Sequence, residues 1–465
     1  MKRILITPNV ANPYDQRMVK GLAQAFTALG HYACAVERPL DSLELRNLCQ
    51  KFSISVVIQV NRTRDLEVPL PKGVRHVAWY QDVFPETQIN FAEKFIPGDM
   101  LYTLGSKEML GLQVDVPCFS SSLYTGVTDE MLNFPRQNIT QDLDMSLCGG
   151  LPNPVVVTRN MRNDLVWYMD SMLARLPIIG RSYPFWLLRK ALFGNRISMD
   201  YVPYATVQAI VMVVNSFYHP LRGELNIQQL AAAMKDQIAP MVGGGTRSTK
   251  PRKDGCLASL LKPYAAAVRG RRDWKAKIVR FLANEISYGD SSGISAEDKV
   301  ISYFSQSYPR IMDRELLVSL AKEVSPSLEL WGPGLGSHDF VRPFFKGVIE
   351  DQDALLRMYC RSKINLANNT HGLGMHSRTL ECMAVGGFIF MHTSPQDTGV
   401  GGMHTCFEPG VHYGTFTPES FHDEAKRWLT DDKKRLQVGE ASRSLIQSDH
   451  RWTHRAQQIL DDLER

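Results

Sequence analysis

Hydrophobic positions in the first 150 residues alternate between short β-branched runs and longer stretches with helical spacing. A strand is predicted at Arg3–Thr7, and a helix at 15–29, where apolar residues recur every three or four positions before Gly30. The same order returns around the β-branched runs at 55–60 and 76–80. This alternation predicts a parallel sheet covered by helices on both faces, in which ligands bind at the carboxyl ends of the strands.

The pattern changes near residue 155 and changes back near residue 314. Helical periodicity, interrupted by Pro and Gly, dominates residues 158–304, and strands and helices alternate again afterwards. We therefore expect an α/β fold with two Rossmann-like doubly wound domains facing a cleft, and a mainly helical insertion. The predicted parts are residues 1–140 for the N-terminal domain, 141–157 plus 305–450 for the C-terminal domain, 158–304 for the insertion and 451–465 for a C-terminal helix.

Charge is distributed unevenly along the chain. The 53 basic and 48 acidic residues give a net charge of +5, which is too small to indicate a nucleic-acid-binding protein. Residues 241–280, however, contain eleven Lys or Arg and two Asp, a local charge of +9, so the remainder of the chain carries −4. This basic stretch is interpreted either as a solvated helix face or as a surface for an acidic acceptor, a peripheral membrane contact or a partner protein.

Composition narrows the class of protein further. The chain is 44% hydrophobic and 22% charged, which is typical of a folded globular protein. Its eight cysteines form no CxxC pair, so neither a disulfide framework nor a structural zinc site is expected. The apolar run after Met1 is too short for a signal peptide, and the apolar stretch 205–214 is too short to span a bilayer. We expect a cytoplasmic protein without a transmembrane segment.

The stretch 363–395 carries the most chemical information. A buried strand leads into a polar loop that ends at His371, and Gly372 and Gly374 then permit a tight turn before a helix begins near Ser377. The free N–H groups at such a helix start favour an anion, which indicates a phosphate site.

The first turns of this predicted helix contain His376, Arg378 and Glu381. Because Arg378 and Glu381 are three residues apart, they share one helix face, where the arginine suits a phosphate and the carboxylate suits ribose hydroxyls. The pattern therefore predicts a clamp for a nucleoside diphosphate. The alternative from the spacing alone is a common glycine-rich turn followed by an ordinary surface ion pair.

The same block resembles the donor-binding segment of GT-B glycosyltransferases, most closely the branch of CgeB-like spore-maturation proteins. Further likeness lies in 142–149, in the strand and turn at 328–334, and in the start of the last helix at 450–455. About two thirds of the chain is covered. The positions that carry the motif H-x-R-x-x-E-x-M-A-x-G-G are His376, Arg378, Glu381, Met383, Ala384, Gly386 and Gly387.

The resemblance implies a nucleoside-diphosphate sugar held by the C-terminal domain and an acceptor held by the N-terminal one. Glu381 would bind the ribose, Arg378 and the helix start would bind the diphosphate, and the turn at 332–336 would approach the nucleotide. The predicted donor-binding residues are Gly332, Gly334, His371, Gly374, His376, Ser377, Arg378 and Glu381. Leu373 stands where many retaining GT-B enzymes have a glutamate, and the insertion has no counterpart, so the sugar and the stereochemistry stay open.

Transfer of a sugar requires a group that orients or deprotonates the acceptor and positive charge for the leaving diphosphate. The candidates for the first task are Asp15, at the start of a helix, and Asp82, just after a strand, although aspartates are common at both kinds of position for structural reasons. For the second task Arg378, the helix dipole and Lys346 are expected to suffice without a metal or other cofactor.

Two triplets, at 142–144 and 351–353, match the metal-binding motif Asp-x-Asp by letter. The first enters a predicted strand and the second opens a helix, where acidic residues are common, so neither is interpreted as a metal site.

The sequence thus predicts a metal-independent glycosyltransferase for a hexosyl or related sugar. Its partners are expected to be the nucleotide-sugar donor and an acceptor that is a protein, a glycan or lipid-linked, contacted in part by the insertion, with no role for nucleic acid. Two alternatives stay open: an epimerase-like enzyme that processes sugar nucleotides on the same fold, and a GT-B-like assembly or binding protein without catalytic activity.

Overall fold

The structure is a computed structural model that describes residues 1–82, 91–107, 110, 112, 115–152, 204–225, 227–238 and 301–465. The chain divides into two compact units. One comprises Met1–Pro154, Tyr218–Leu230 and Gln306–Arg465, and the other comprises Val155–Phe217 and Ala231–Ser305. Both sheets of the described chain belong to the first unit.

The first half of the chain forms a six-stranded parallel sheet with the order β2-β1-β3-β4-β5-β6. Its central strands are hydrophobic and buried, as expected for a parallel sheet covered on both faces. The strands are β1 (Arg3–Thr7), β2 (Tyr32–Ala35), β3 (Val56–Val60), β4 (Arg75–Tyr80), β5 (Met100–Thr103) and β6 (Phe119–Ser122).

Three helices of this half are α1 (Pro13–Ala28), α2 (Ser42–Lys51) and α3 (Asp129–Leu132). Helix α1 begins two residues before the predicted range 15–29, because the side chain of Asn12 accepts a hydrogen bond from the backbone N–H of Asp15 and Pro13 occupies the first turn.

The second half forms another six-stranded parallel sheet with the order β12-β11-β10-β7-β8-β9. Counted from its own first strand, this is the Rossmann order 3-2-1-4-5-6. The two sheets confirm the predicted α/β class with two doubly wound halves. The strands are β7 (Leu143–Cys148), β8 (Leu328–Trp331), β9 (Phe345–Gly347), β10 (Ser362–Ala367), β11 (Ile389–His392) and β12 (Gly414–Phe416).

Helices of the remaining described chain include two that lie within the predicted insertion, α4 (Tyr204–Phe217) and α5 (Ile227–Ile238). The others are α6 (Tyr308–Val324), α7 (Gln352–Arg361), α8 (Ser377–Ala384), α9 (Phe421–Thr430), α10 (Asp432–Asp449) and α11 (Trp452–Leu463). The basic stretch 241–280 lies outside the described residues. Among the helices that the structure describes, none is long and apolar enough to cross a membrane.

Sequence periodicity missed several elements. Helix α10 was not predicted, because its buried positions include the polar residues Arg435 and Ser442, so the hydrophobic pattern is weak. The edge strands β6, β9 and β12 were also missed. They contain only three or four residues each and are too short to show a period.

The C-terminal helix α11 packs against the first sheet rather than the second. Trp452 lies with its ring edge to face against Trp79 of β4, with ring centroids 6.1 Å apart, and the last turns of the helix complete the same core. The hydroxyl of Tyr102 donates to Asp462 at 2.7 Å, and Arg75 donates to the carbonyl of Leu463. The last residues of the chain therefore belong to the core of its first half.

Replacing Trp452 by Ala should lower the free energy of unfolding by about 3–5 kcal/mol, because a large side chain that is 6% exposed leaves a cavity. Denaturant unfolding followed by circular dichroism measures the change. Leu436→Ala on α10, where the side chain is 55% exposed, is the control. A loss below about 1 kcal/mol for Trp452→Ala would show that α11 does not stabilise this core.

Candidate active site

The topology of the second sheet places a crevice between β7 and β10. These strands are neighbours, yet the chain leaves β7 toward β8 on one side and β10 toward β11 on the other. Open parallel sheets bind ligands at such a switch point, outside the carboxyl ends of the strands. A cavity here is lined by residues of β7 and β10, by the loop after β10 and by the first turn of α8.

The loops after β7 and β8 are packed tightly together beside this crevice. Gly149 donates to the carbonyl of Trp331 at 2.8 Å, and Leu151 donates to that of Pro333 at 2.9 Å. Gly332 has a φ of 144°, and a Cβ there would lie 2.5 Å from the carbonyl oxygen of Gly149. Gly332 and the neighbouring Gly334 therefore allow the turn after β8 to approach the end of β7.

The loop after β10 is fixed by buried polar contacts. Asn369 donates to Asp397 at 2.7 Å, and His371 lies with Nε2 3.3 Å from the carbonyl of Gln306. Burial, followed by the charge of Arg310, lowers the pKa of His371 to about 3, so this histidine is neutral. His371 thus shapes the loop, whereas Gly374 lines the cavity itself.

Helix α8 begins with donors that have no acceptor in the described part of the chain. His376 is the N-cap residue and its side chain makes no capping hydrogen bond. The backbone N–H groups of Ser377 and Arg378 have no acceptor within the described ranges. Burial, and then the charges of Arg378, Arg310 and Arg314, lower the pKa of His376 to about 3. The predicted helix start is therefore open to an anion.

Three arginines gather at this helix start, and we call Arg310, Arg314 and Arg378 the arginine cluster. Arg378 donates to the carbonyl of Cys148 at 2.8 Å, where a Cβ on Gly149 would overlap the guanidinium. Arg314 is 5% exposed and donates to the carbonyls of Gly149 and Gly150 at 2.9 and 2.8 Å.

None of the three forms an ion pair with a carboxylate of the described chain, and Nη2 of Arg314 has no acceptor there. Burial, and then repulsion by Arg378 and Arg310, lower the pKa of Arg314 to about 9. Arg310 is exposed and interacts electrostatically with Asp82 of the first half as well as with Arg378. Carbonyl oxygens hold the guanidinium groups of Arg314 and Arg378 in place without neutralising their charge. Because no carboxylate of the described chain neutralises it either, the arginine cluster is suited to bind an anion.

Sequence reasoning missed Arg310 and Arg314. Both lie on α6, more than 60 residues before the motif on α8. Their spacing of four residues places them on one helix face, but this signal alone did not distinguish them from surface arginines.

Glu381 lies one turn into α8 and is 6% exposed. It makes no hydrogen bond or ion pair with any residue that the structure describes, so the alternative of an ordinary surface ion pair with Arg378 is wrong. Burial raises the pKa of Glu381 to about 7, although the charges of Arg17 and Arg378 oppose this shift. A buried carboxylate without a partner is costly and is therefore a candidate ligand-binding group.

The two predicted aspartates of the first half lie close together but differ in their surroundings. Asp15 is buried and accepts a hydrogen bond from the N–H of Val10 at 3.2 Å, which fixes the loop between β1 and α1. Asp82 is exposed, and Nδ2 of Asn61 lies 3.4 Å from its carboxylate. Asn61 also has a left-handed φ of 52° and accepts from the N–H of Asp82, so it positions this residue.

The carboxyl ends of the two sheets face each other across a cleft. The hydroxyl of Tyr14, on α1, interacts with Ser377 at the start of α8. Arg17 donates to the carbonyl of Glu350 at 3.3 Å. These contacts place the rim of the first sheet, with Asp15 and Asp82, opposite the start of α8.

The two Asp-x-Asp triplets have structural partners. Asp142 pairs with Arg361, and Asp144 pairs with Lys363 at 2.9 Å. Asp351 caps α7 by accepting from the N–H of Ala354. Within the described ranges, no group of three or more His, Cys, Asp or Glu could hold a metal ion.

Lys346 is exposed on the edge strand β9, two strands from β7 and hence about 10 Å away across the sheet. The contacts at the start of α8 involve the arginine cluster, and Lys346 stays a prediction.

A second cavity lies in the first half, next to Arg62, Arg64 and His76. Its buried arginine, Arg64, forms an ion pair with Asp99, Nε2 of His76 lies 3.0 Å from Gln59, and Arg62 donates to the carbonyl of Leu40. The buried arginine at α8, Arg314, has no such ion pair in the described chain, and we therefore assign the candidate site to the crevice beside β7.

Comparison with known proteins gives a family match for part of the chain. Residues 310–461 match the protein family described as Glycosyl transferase-like, and this segment is about a third of the chain. It includes the whole arginine cluster and Glu381. The match supports the glycosyltransferase superfamily, while the CgeB-like branch stays a prediction. No curated protein matches the chain.

Several solved structures resemble the chain weakly. A glycosyltransferase from Rickettsia africae ESF-5 shares 7% identity at a TM-score of 0.40, with 100% of this chain and 98% of that chain covered. Anabaena HepE in complex with UDP and glucose shares 10% at 0.44, and a DNA-modifying β-glucosyltransferase shares 8% at 0.43, each with both chains fully covered. Scores of this size support no inference about function, so the site is interpreted from its own residues and the family match.

The raised pKa of Glu381 predicts a pH-dependent stability. The neutral carboxyl is the favoured form in the folded chain, so its stabilising contribution is present below about pH 4.5 and is lost as the pH rises through about 7. The difference in free energy of unfolding between Glu381→Gln and the wild type should therefore change by about 3 kcal/mol, in favour of Glu381→Gln, as the pH rises from about 4 to about 8.

Denaturant unfolding of both proteins at several pH values measures this difference. Glu315→Gln, at an exposed position on α6, controls for the change of net charge. A difference between Glu381→Gln and wild type that stays constant with pH would contradict the assignment.

Proposed function

We propose that this protein is a glycosyltransferase that moves a hexosyl or related sugar from a nucleoside-diphosphate sugar to an acceptor. One observation carries the proposal. At the switch point of the second sheet, the arginine cluster and the first N–H groups of α8 form a positive site next to the carboxylate of Glu381. Among the described residues, the arginines form no ion pair with a carboxylate, and the N–H groups and the Glu381 carboxylate have no hydrogen-bond partner. A nucleoside diphosphate has the phosphates and the ribose hydroxyls that these two sets of groups require.

The arginine cluster would serve both binding and catalysis. Negative charge grows on the diphosphate as the bond to the sugar breaks, and charges that are already in place stabilise it without reorganisation. Arg314 and Arg378 are held by backbone carbonyls, and Arg310 adds a third charge from the cleft. Three positive charges and a helix N-terminus can neutralise a diphosphate, so our proposal requires no metal and no further cofactor.

Glu381 would accept hydrogen bonds from the ribose in its ionised form. Its cost of burial is then offset by the hydroxyl donors of the ligand. The turn at Gly332 and Gly334 would flank the nucleotide, since it lies against the end of β7 beside the same crevice.

Asp82 is the better candidate for the group that orients or deprotonates the acceptor hydroxyl. It is exposed, faces Arg310 across the cleft and is positioned by Asn61, whereas the carboxylate of Asp15 is occupied in holding the loop at Val10. In this proposal Asp82 acts on the acceptor and Asp15 keeps the rim of the first sheet in shape.

The acceptor would enter from the first half of the chain. The basic stretch 241–280 is our candidate for contacts to an acidic acceptor.

Two further expectations are part of the same proposal. Membership of the CgeB-like branch rests on the motif at α8, and a cytoplasmic location rests on the cysteine pattern.

Arg310→Ala provides a test of the phosphate site that spares the fold, because the side chain is exposed. We first identify the preferred nucleotide by titrating the wild type with UDP, GDP, CDP and dTDP in a calorimeter. The variant should bind that diphosphate about tenfold more weakly, and the corresponding nucleoside with unchanged affinity, since only the phosphates contact the arginines. Arg342→Ala, at an exposed arginine paired with Asp339, is the matched control.

If the wild type binds none of the four diphosphates, the proposed function is wrong. If Arg310→Ala and Arg342→Ala bind the diphosphate equally well, the arginine cluster is not the phosphate site.

Asp82→Asn tests the assignment of the base. Slow hydrolysis of the nucleotide sugar, with water as acceptor, should fall roughly 100-fold or more while diphosphate affinity stays within about twofold of wild type. Asp15→Asn should instead lower the melting temperature, because it weakens the contact with Val10. Unchanged hydrolysis in Asp82→Asn would exclude this residue as the base.

A further inference from the structure

Tyr14 is positioned by the first half of the chain with little freedom. It occupies the first turn of α1, directly after the cap that Asn12 forms with the N–H of Asp15 at 2.7 Å. Helix α1 follows the carboxyl end of β1, so the tyrosine projects from the rim of the first sheet. Its side chain is half-buried.

The hydroxyl of Tyr14 reaches the opposite half of the chain. It interacts with Ser377, the first residue of α8, and lies in the field of the Glu381 carboxylate. The N–H groups of Ser377 and Arg378 at this helix start have no acceptor in the described chain. An anion bound to them would therefore lie within reach of the tyrosine hydroxyl.

Two further observations show that this place is built for a ligand. Glu381 is 6% exposed and has no partner in the described part of the chain, and Arg314 is 5% exposed with Nη2 free toward the same crevice. Within the described residues, the helix start is thus accompanied by two buried polar side chains with unused hydrogen-bonding capacity, the carboxylate of Glu381 and Nη2 of Arg314.

Among the described residues, the hydroxyl of Tyr14 has little opportunity to donate a hydrogen bond. Besides Ser377, its neighbour there is the sulfur of Met18, at 4.0 Å, which is a weak acceptor. Burial, followed by the charges of Glu381, Asp82 and Asp15, raises the pKa of Tyr14, so the phenol keeps its proton. A neutral phenol beside a phosphate donates a hydrogen bond to it.

We propose that Tyr14 donates a hydrogen bond to the diphosphate of the sugar donor, so that the first half of the chain supplies a donor-binding residue to a site formed mainly by the second half. The proposal rests on the proposed function and extends it. A diphosphate bound at α8 then contacts both halves at once, and donor binding favours the arrangement in which the acceptor-side rim faces the donor.

The test compares Tyr14→Phe, which removes one oxygen, with the wild type and with Tyr32→Phe, at an exposed tyrosine on β2. Calorimetry measures the affinity for the preferred nucleoside diphosphate and for the matching nucleoside. Tyr14→Phe should weaken diphosphate binding about tenfold and leave nucleoside binding unchanged, because the hydroxyl contacts only phosphate. Melting temperatures confirm that each variant is folded.

The outcomes separate this proposal from the one on which it rests. If wild type and Tyr14→Phe bind the diphosphate equally, the role of Tyr14 is overturned while the glycosyltransferase proposal stands. Equal weakening of nucleoside and diphosphate would also overturn it, since the tyrosine would then act on the shape of the whole site. If the wild type binds no diphosphate, both proposals fail together.

Discussion

Arg314 and Arg378 donate to the backbone carbonyls of Cys148, Gly149 and Gly150, and in the described chain they meet no carboxylate. Carbonyl oxygens fix the guanidinium groups in space but leave their charge in place. The cost of confining like charges in a poorly solvated crevice is therefore offset only when an anion arrives. Glycine at position 149 is part of this constraint, because a side chain there would occupy the position of the Arg378 guanidinium.

Helix α6, which carries Arg310 and Arg314, is connected to the rest of the second half by buried hydrogen bonds. Its Asp313 is fully buried and accepts hydrogen bonds from the Tyr218 hydroxyl and the Leu221 N–H, each at 2.8 Å. The neighbouring Arg314 points into the crevice. The segment at 218–224, which belongs to the same compact unit as both sheets, is thus attached to the helix that carries two of the three arginines.

The sequence alone predicts those features that depend on residues close to each other in the chain. Periodicity and spacing within about 30 residues predict both α/β halves, the start of α8 and the motif that contains Glu381. Arg310, Arg314 and Tyr14 could not be found in this way, because they reach the site from elements far away in sequence and only the packing of the sheets brings them together. Helix α10 was hidden for another reason: Arg435 and Ser442 occupy its buried positions, so burial there does not follow hydrophobicity.

The packing of α11 on the first sheet has a consequence for the order in which the two halves of the chain fold. Trp452, Ile459 and Leu463 belong to the core of the first half, although more than 300 residues separate them from its last strand, β6. Domains usually fold as they emerge, the N-terminal one first. Here the first sheet stays without one of its covering helices until α11 has been synthesised, so the first half completes its folding only after the second half has been made.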